Sequence, residues 1–399
     1  MKSNQKSYAG KRGVFVRSDC YFEIELKKSG GIKIEIKSKV SSMYGEAIKN
    51  QIKEIGNFYD IKNAAVYFED TGALPFVIAA RLELAIKRLK PGTKKEYLLP
   101  LHDKADKKNI LKTTKDRLRR SRLYLPGNEP KFFVNAGLHS PDGIILDLED
   151  SVAPSEKDAA QLLVRNALRS VDFYGSERMV RINQLPKGLD DLEFIVPHNV
   201  QVVLIPKCES AEQVKQVEEK VNQLKNENNI KDNIFYIPSL ESALGIIKSY
   251  EIASSSKNVC ALAIGLEDYT ADIGTQRTND GRESFFARSM AVNAAKAAGV
   301  QAIDTVFSDV ADMEGLRESV LEAKALGFEG KGCIHPRQIK VVHEAFAPTS
   351  VEIEKAQKIV KAFEEAEKKG LGVISLGTKM IDPPVVKRAQ RILSLVNGH

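Results

Sequence analysis

Cysteine is scarce in this chain, with four in 399 residues: Cys20, Cys208, Cys260 and Cys333. They stand too far apart to form a metal-type or redox-type pair. Neither a zinc knuckle nor a dithiol centre is expected, and the pattern suits reduced, mostly buried thiols of a cytoplasmic protein. Long apolar runs are missing too. None approaches the ~20 residues needed to span a bilayer, so a membrane protein is not expected. The basic start Met1-Lys2-Ser3-Asn4-Gln5-Lys6 is followed by no apolar stretch, and a secretory signal is not expected either. The net charge of +7 comes without a helix-turn-helix, a finger or aromatic-basic interleaving, which argues against nucleic acid as the partner. Much of that charge crowds into residues 104–122. This run reads as a solvated linker or as a docking surface for a phosphorylated cofactor. What is present is ample core material, 43% hydrophobic and 28% charged residues, enough for two or three domains or for one barrel plus additions.

The first ~90 residues differ in texture from the rest. Phe22, Ile24 and Leu26, then Ile32, Ile34 and Ile36, alternate with polar residues around Ser29-Gly30-Gly31. That pattern predicts a β-hairpin. A helix is expected over Tyr44–Ile55, a strand over Ala64–Phe68, and an amphipathic helix over Leu74–Leu89 that Pro91-Gly92 stops. Residues 1–91 thus read as a small α+β domain and 92–118 as a basic linker.

Beyond the linker, strand-like runs recur at a spacing of ~30 residues, starting near Leu123, Gly143, Met179, Val202, Phe235, Ala261, Gln301 and Gly332. Helical segments lie between them. A βα succession of this length predicts an α/β fold, a TIM (β/α)8 barrel over 119–348, rather than an open doubly wound sheet. No Gly-x-Gly-x-x-Gly turn follows the first strand to favour the open sheet. Residues 349–399 then read as a C-terminal helical lid: a charged helix, a Gly-rich loop, and a helix with Pro383-Pro384 in its first turn.

Several strands end in chemistry. The run Ile144–Leu148 leads to Glu149 and Asp150, Met179–Asn183 carries Arg181, Val202–Pro206 ends on Lys207, and later runs lead to Glu241, Glu267 and Asp268. In a barrel the carboxyl ends of all strands converge on one mouth. Glu241 and Asp268 on neighbouring strands suffice to anchor Mg2+, which takes few protein carboxylates and fills its octahedron with water and substrate oxygens. Arg181 at the same mouth can grip a substrate carboxylate. Metal plus arginine makes a receptor for an oxo or hydroxy acid, suited to carbon–carbon cleavage of a β-hydroxyacyl compound. The structural alternatives are a salt bridge from Arg181 to Glu149 or Asp150 and a helix cap by Glu241 near Ser242.

Arg120-Ser121-Arg122-Leu123-Tyr124-Leu125-Pro126-Gly127 resembles the opening motif of the citrate lyase β-subunit group of HpcH–HpaI aldolases. Asp147-Leu148-Glu149-Asp150, Val180-Arg181-Ile182-Asn183, Glu241-Ser242-Ala243-Leu244-Gly245, Gly265-Leu266-Glu267-Asp268-Tyr269 and Pro336-Arg337-Gln338-Ile339 resemble its later motifs, in order. The resemblance implies a homotrimer or hexamer that cleaves acyl thioesters with Mg2+. By position, Glu241 and Asp268 are its metal ligands. Arg181, with Gly265, Glu267 and Asp268, binds substrate, and Glu149 and Asp150 position waters and Arg181. Gly377-Thr378-Lys379-Met380-Ile381-Asp382 is similar to the lid of malyl-CoA and citramalyl-CoA lyases. That likeness makes Asp382 an acid/base supplied by a neighbouring subunit, with a helix cap at Pro383 as the alternative.

The N-terminal domain resembles the acyl carrier subunit of citrate lyase, through Gly45-Glu46-Ala47-Ile48 and Asp70-Thr71-Gly72-Ala73-Leu74. That carrier bears a CoA-like arm on the first of two adjacent serines. Arg17 occupies that position here and Ser18 the second. Either Ser18 carries the arm, or the domain serves structure, oligomerisation or CoA docking. The leading expectation is cleavage of a citryl thioester to oxaloacetate and an acetyl thioester, alone or with other citrate lyase-type subunits. The alternatives are a malyl- or citramalyl-CoA lyase acting on free CoA esters, and a non-catalytic scaffold.

Overall fold

The computed structural model describes residues 6–100, 112–367, 374–376 and 379–397. Its N-terminal domain runs β1 (Lys6–Gly10), β2 (Cys20–Leu26), β3 (Ile32–Lys37), α1 (Ser41–Phe58), β4 (Ala64–Asp70) and α2 (Pro75–Leu89). Alternation in β4 buries Ala64, Val66 and Phe68 on one face, as a strand of period two requires.

The expected hairpin does not form. The sheet order is β1-β2-β4-β3, with β4 antiparallel to β2 and parallel to β3. Strands two places apart lie roughly 10 Å from each other, a gap that residues 27–31 bridge without strain. The glycine turn therefore joins non-neighbours, and β4, more apolar than β3, takes the place between β2 and β3.

The barrel domain follows: β5 (Ser121–Pro126), β6 (Gly143–Asp147), α3 (Lys157–Ser170), β7 (Glu177–Arg181), α4 (Gly188–Ile195), β8 (Val202–Ile205), α5 (Ala211–Glu227), β9 (Phe235–Leu240), α6 (Ala243–Ile247), α7 (Ser249–Ala253), β10 (Ala261–Ile264), α8 (Leu266–Asp272), α9 (Phe285–Ala298), β11 (Gln301–Asp304), α10 (Met313–Leu326), β12 (Gly330–Cys333) and α11 (Arg337–Phe346). β5 to β12 pair in parallel and close on themselves, so all eight expected barrel strands are present. Inside, Ile145, Met179, Val202, Leu204, Phe235 and Ile237 form an apolar core, and a cavity opens at the carboxyl-end mouth. Between β9 and β10 the helical segment is broken into two short helices, α6 and α7. Finally α12 (Ser350–Glu367), the short strands β13 (Ile374–Leu376) and β14 (Lys379–Ile381), and α13 (Pro383–Asn397) form the tail. Pro383-Pro384 open α13 as expected.

The carrier-like domain is firmly seated on the barrel. α2 is buried nearly all round, packed on its own sheet and on α3. Arg81 bonds Asp19 within the domain, and Glu83 reaches across to Arg165 of α3 at 2.6 Å. Cutting one partner of so buried a pair leaves an uncompensated charge, worth about 3–5 kcal/mol. The described start of the linker is tied down as well, since Arg169 donates to the Leu99 carbonyl. Residues 101–111, where much of the basic run falls, lie outside the described residues. The run's end is no solvated linker. Arg119 is buried against Glu177, Arg120 pairs with Asp142, and Arg122 lies inside the barrel. All four cysteines are buried and unpaired. Among the described residues no helix is long and apolar enough to cross a membrane.

One buried base predicts acid sensitivity. His198 contacts Arg169 through Nδ1 at 3.0 Å. Burial first, then the charges of Arg165 and Arg169, push its pKa down to about 3. The unfolded chain takes up this proton near ~6.5 and the folded chain far lower. Stability from this group is therefore complete above ~6.5 and lost as pH falls toward 3. Between pH 7.5 and 4.5 it accounts for about 2–3 kcal/mol. Urea melts at the two pH values should differ less for His198→Asn than for wild type; equal differences would refute this.

Candidate active site

The mouth is built from strand ends. Asp147 closes β6 and Arg181 closes β7, and the two are register partners. Period-two alternation turns both inward. Arg181 donates Nε and Nη2 to the two Asp147 oxygens, both at 2.7 Å. Its Nη1 lies 3.1 Å from Glu149, and the guanidinium sits over the Tyr124 ring, 5.4 Å from its centre. Asp147 also accepts from the Glu149 and Ser151 backbone N–H groups. Burial works against the charged form of Asp147, but Arg181 overcomes it and holds the pKa below the ordinary carboxylate range. Of the five N–H donors of a guanidinium, two thus go to Asp147, while Glu149 stands beside the group as an ion pair.

Glu241 follows β9 and is only 5% exposed. Its Oε2 has no hydrogen-bond partner. Burial, reinforced by the Asp268 and Glu149 carboxylates, raises its pKa to about 7. It does not cap a helix: the Ser242 hydroxyl does that, accepting from the Gly245 N–H. Beside Glu241 stands Gly265, where an added Cβ would come 2.8 Å from Glu241 Cγ. Only glycine leaves that carboxylate its place. Asp268, in the first turn of α8, opens to the same cavity with its side chain 44% exposed.

Lys207 binds the mouth together. Its Nζ lies 3.3 Å from Asp268, 3.3 Å from Asp150 and 3.5 Å from Glu149. Its backbone φ of +46° falls in the left-handed region that lysine seldom adopts, a strain found often at functional sites. Burial pulls its pKa down, but Glu149, Asp268 and Asp150 together raise it above the ordinary lysine value.

A cavity of about 320 Å3 opens here, lined by Arg181, Glu241, Gly265, Glu267 and Asp268 among others. Glu267 points aside to Arg277. Asp150 bonds Lys207, not Arg181. Two further expected residues lie elsewhere. Asp382 is not among the residues lining this cavity, and its Oδ1 caps α13 through the Val385 N–H. Ser18, at φ +53°, lies in the N-terminal domain with its N–H on the Thr71 carbonyl.

Two residues were assigned no role from sequence. Asp147 is the main holder of Arg181, and Lys207 joins three carboxylates. Asp147's place two residues after the inward Ile145 was the available signal. The strand-end place of Lys207 put it at the mouth, but the sequence did not show which carboxylates it would pair with.

Among the described residues no three His, Cys, Asp or Glu side chains gather as a metal cluster. Glu241 with Asp268 nonetheless suits a hard divalent ion, for which two carboxylates are enough. The buried Oε2 without a partner is the kind of atom such an ion satisfies.

A closed parallel barrel whose carboxyl-end mouth gathers carboxylates, an arginine and a cavity defines a TIM-barrel enzyme. The chain belongs to the HpcH/HpaI aldolase/citrate lyase family, whose model matches residues 120–336. Residues 9–89 match a second model, described as malonate decarboxylase delta subunit. The citrate lyase subunit beta of Leuconostoc mesenteroides subsp. cremoris is 41% identical over 71% of this chain and 95% of its own length. The mitochondrial citramalyl-CoA lyase of Mus musculus is 35% identical over 70% of this chain and 86% of its own. Among solved structures, the CitE protein of Mycobacterium tuberculosis in complex with magnesium, acetoacetate and coenzyme A superposes with a TM-score of 0.59. It is 29% identical and covers 71% of this chain and all of that one.

Proposed function

We propose that the protein is a Mg2+-dependent carbon–carbon lyase that cleaves a citryl thioester into oxaloacetate and an acetyl thioester. Glu241 carries the reading: a buried carboxylate with a vacant oxygen, raised to about pH 7, facing a cavity shared with Arg181 and Asp268. Such a group is costly unless a cation is to be bound there. Support comes from the M. tuberculosis relative with magnesium and coenzyme A, and from that organism's citrate lyase beta subunit with oxaloacetate and magnesium.

In this reading Glu241 and Asp268 would hold Mg2+, beside Lys207, which now pairs with Asp268 at 3.3 Å; when bound, such an ion would supply Lewis-acid polarisation of the oxygen that becomes the ketone. Arg181, kept in place by Asp147 and Glu149, offers its remaining N–H groups to the carboxylate beside that carbon. Asp150 holds Lys207. The hydroxyl passes its proton to a carboxylate of the mouth, the bond from its carbon to the thioester-side methylene breaks, and the electron pair of that bond goes to the thioester enolate. The methylene takes a proton as the acetyl thioester leaves. In this reading Asp382 of a neighbouring subunit supplies that proton, a role that requires a homo-oligomer as the working form.

A second reading, a citramalyl-CoA lyase acting on free CoA esters, is favoured by Arg17 where the carrier subunits have their modified serine. An activity panel on citryl-, malyl- and citramalyl-CoA with Mg2+ decides between them, combined with the intact mass of protein from its native host. Citryl cleavage is expected to exceed the others. Turnover of none of the three would refute the lyase assignment, and a mass increment on the Ser18 peptide would show the arm in place.

A further inference from the structure

Four arginines are fully buried among the described residues: Arg81, Arg119, Arg122 and Arg165. Three have a carboxylate at hand. Arg81 meets Asp19 at 2.7 Å, Arg119 meets Glu177 at 2.7 Å and Arg165 meets Glu83 at 2.6 Å. Arg122 differs. Its Nε and Nη1 have no hydrogen-bond partner. Burial above all pulls its pKa down, and the groups acting most on its charge are Tyr124, Cys333, Cys260 and Arg119, none of them a carboxylate. A guanidinium stays protonated even so. An uncompensated buried cation is one of the costliest features a fold can keep.

Its surroundings direct it at the cavity. Arg122 shares the inward face of β5 with Tyr124 and Pro126, and all three line the cavity that Arg181, Glu241 and Asp268 line. It sits two residues nearer the amino end of the strand than Tyr124, hence deeper. Its register partners are Gly143 on β6 and Gly332 on β12, so neither flanking strand lays a side chain over it.

We infer that Arg122 forms an anion subsite at the floor of the cavity, receiving the second carboxylate of a dicarboxylic oxo acid. This rests on the proposed lyase reading and makes its substrate class specific. Cleavage of a citryl thioester yields an oxo acid with two carboxylates; malyl and citramalyl thioesters yield oxo acids with one. With Arg181 at the rim on the carboxylate beside the oxo carbon, Arg122 takes the far one. A site with unpaired buried donors rejects the analogue that lacks their partner more strongly than any apolar pocket can.

The test is calorimetric titration of the full-length protein with Mg2+ present, using freshly dissolved oxaloacetate and, separately, pyruvate. Wild type should bind oxaloacetate at least ~10-fold more tightly than pyruvate, and Arg122→Met should weaken oxaloacetate ~100-fold but pyruvate less than ~3-fold. The unliganded melting temperature of Arg122→Met should rise, because an apolar side chain of similar length replaces an unpaired charge. Arg122→Lys, which keeps the charge, should recover part of the oxaloacetate affinity and serves if the Met variant does not fold. Equal losses for both acids, or no loss for either, would overturn the subsite and leave the lyase reading standing. Wild type binding pyruvate as tightly as oxaloacetate would do the same. Failure of wild type to bind either acid would overturn both.

Discussion

Glu241→Gln is expected to abolish metal-dependent cleavage, with turnover falling ~1,000-fold or more, since a metal's stabilisation of charge at a reacting oxygen is worth several kcal/mol. The amide keeps the shape but cannot give a hard cation its negative ligand. Stability should not suffer. The wild-type carboxylate is buried with one oxygen unsatisfied, and exchanging it for a neutral group removes a desolvation cost. Asp268→Ala should lose activity likewise, with a smaller effect on stability because its side chain is half open to water. Titration with Mg2+ gives a readout independent of turnover: heat of binding seen in wild type should vanish in both variants. Wild-type-like, chelator-sensitive turnover in either one would sink the metal assignment.

Arg181→Lys should cut kcat/KM by ~100-fold or more, a loss of a few kcal/mol from one charge-assisted, partly desolvated contact set. Lysine keeps the charge but not the planar fork. It cannot serve both Asp147 oxygens, which Arg181 now meets at 2.7 Å each, and still present donors to the cavity. Asp147→Asn provides the comparison. It weakens the anchor but leaves the guanidinium, so KM should rise more than kcat falls. If Arg181→Lys lowers the melting temperature but leaves kcat/KM unchanged, Arg181 is a barrel strut and not a substrate ligand.

The barrel was legible because its signals are local and repeated. Each strand is an apolar run such as Ile144–Leu146 or Val202–Ile205, each is followed by a helical stretch, and the spacing admits few topologies. The strand-end positions of Arg181, Glu241 and Asp268 followed from the same reading, because parallel strands place all their carboxyl ends on one face. The N-terminal sheet was misread for the complementary reason. Strands β2 and β3 alternate as a hairpin would, but which strand pairs with which is a non-local choice. The apolar β4, more than 25 residues on from β3, took the place between them.

By itself the sequence determined the eight-stranded barrel, the carboxylates and arginine at its mouth, the helix opened by Pro383-Pro384, and the buried, unpaired state of the cysteines. Each of these follows from residue type, strand period or helix-start chemistry within a few positions along the chain. The tertiary structure alone decided the partners: Asp147 rather than Asp150 on Arg181, Lys207 among three carboxylates, and Glu83 of one domain on Arg165 of the other. It also decided that Arg122, written within a run of basic residues, stands inside the barrel with no carboxylate beside it. Such pairings join positions tens of residues apart, and their energies depend on burial and distance, which exist only once the chain has closed on itself.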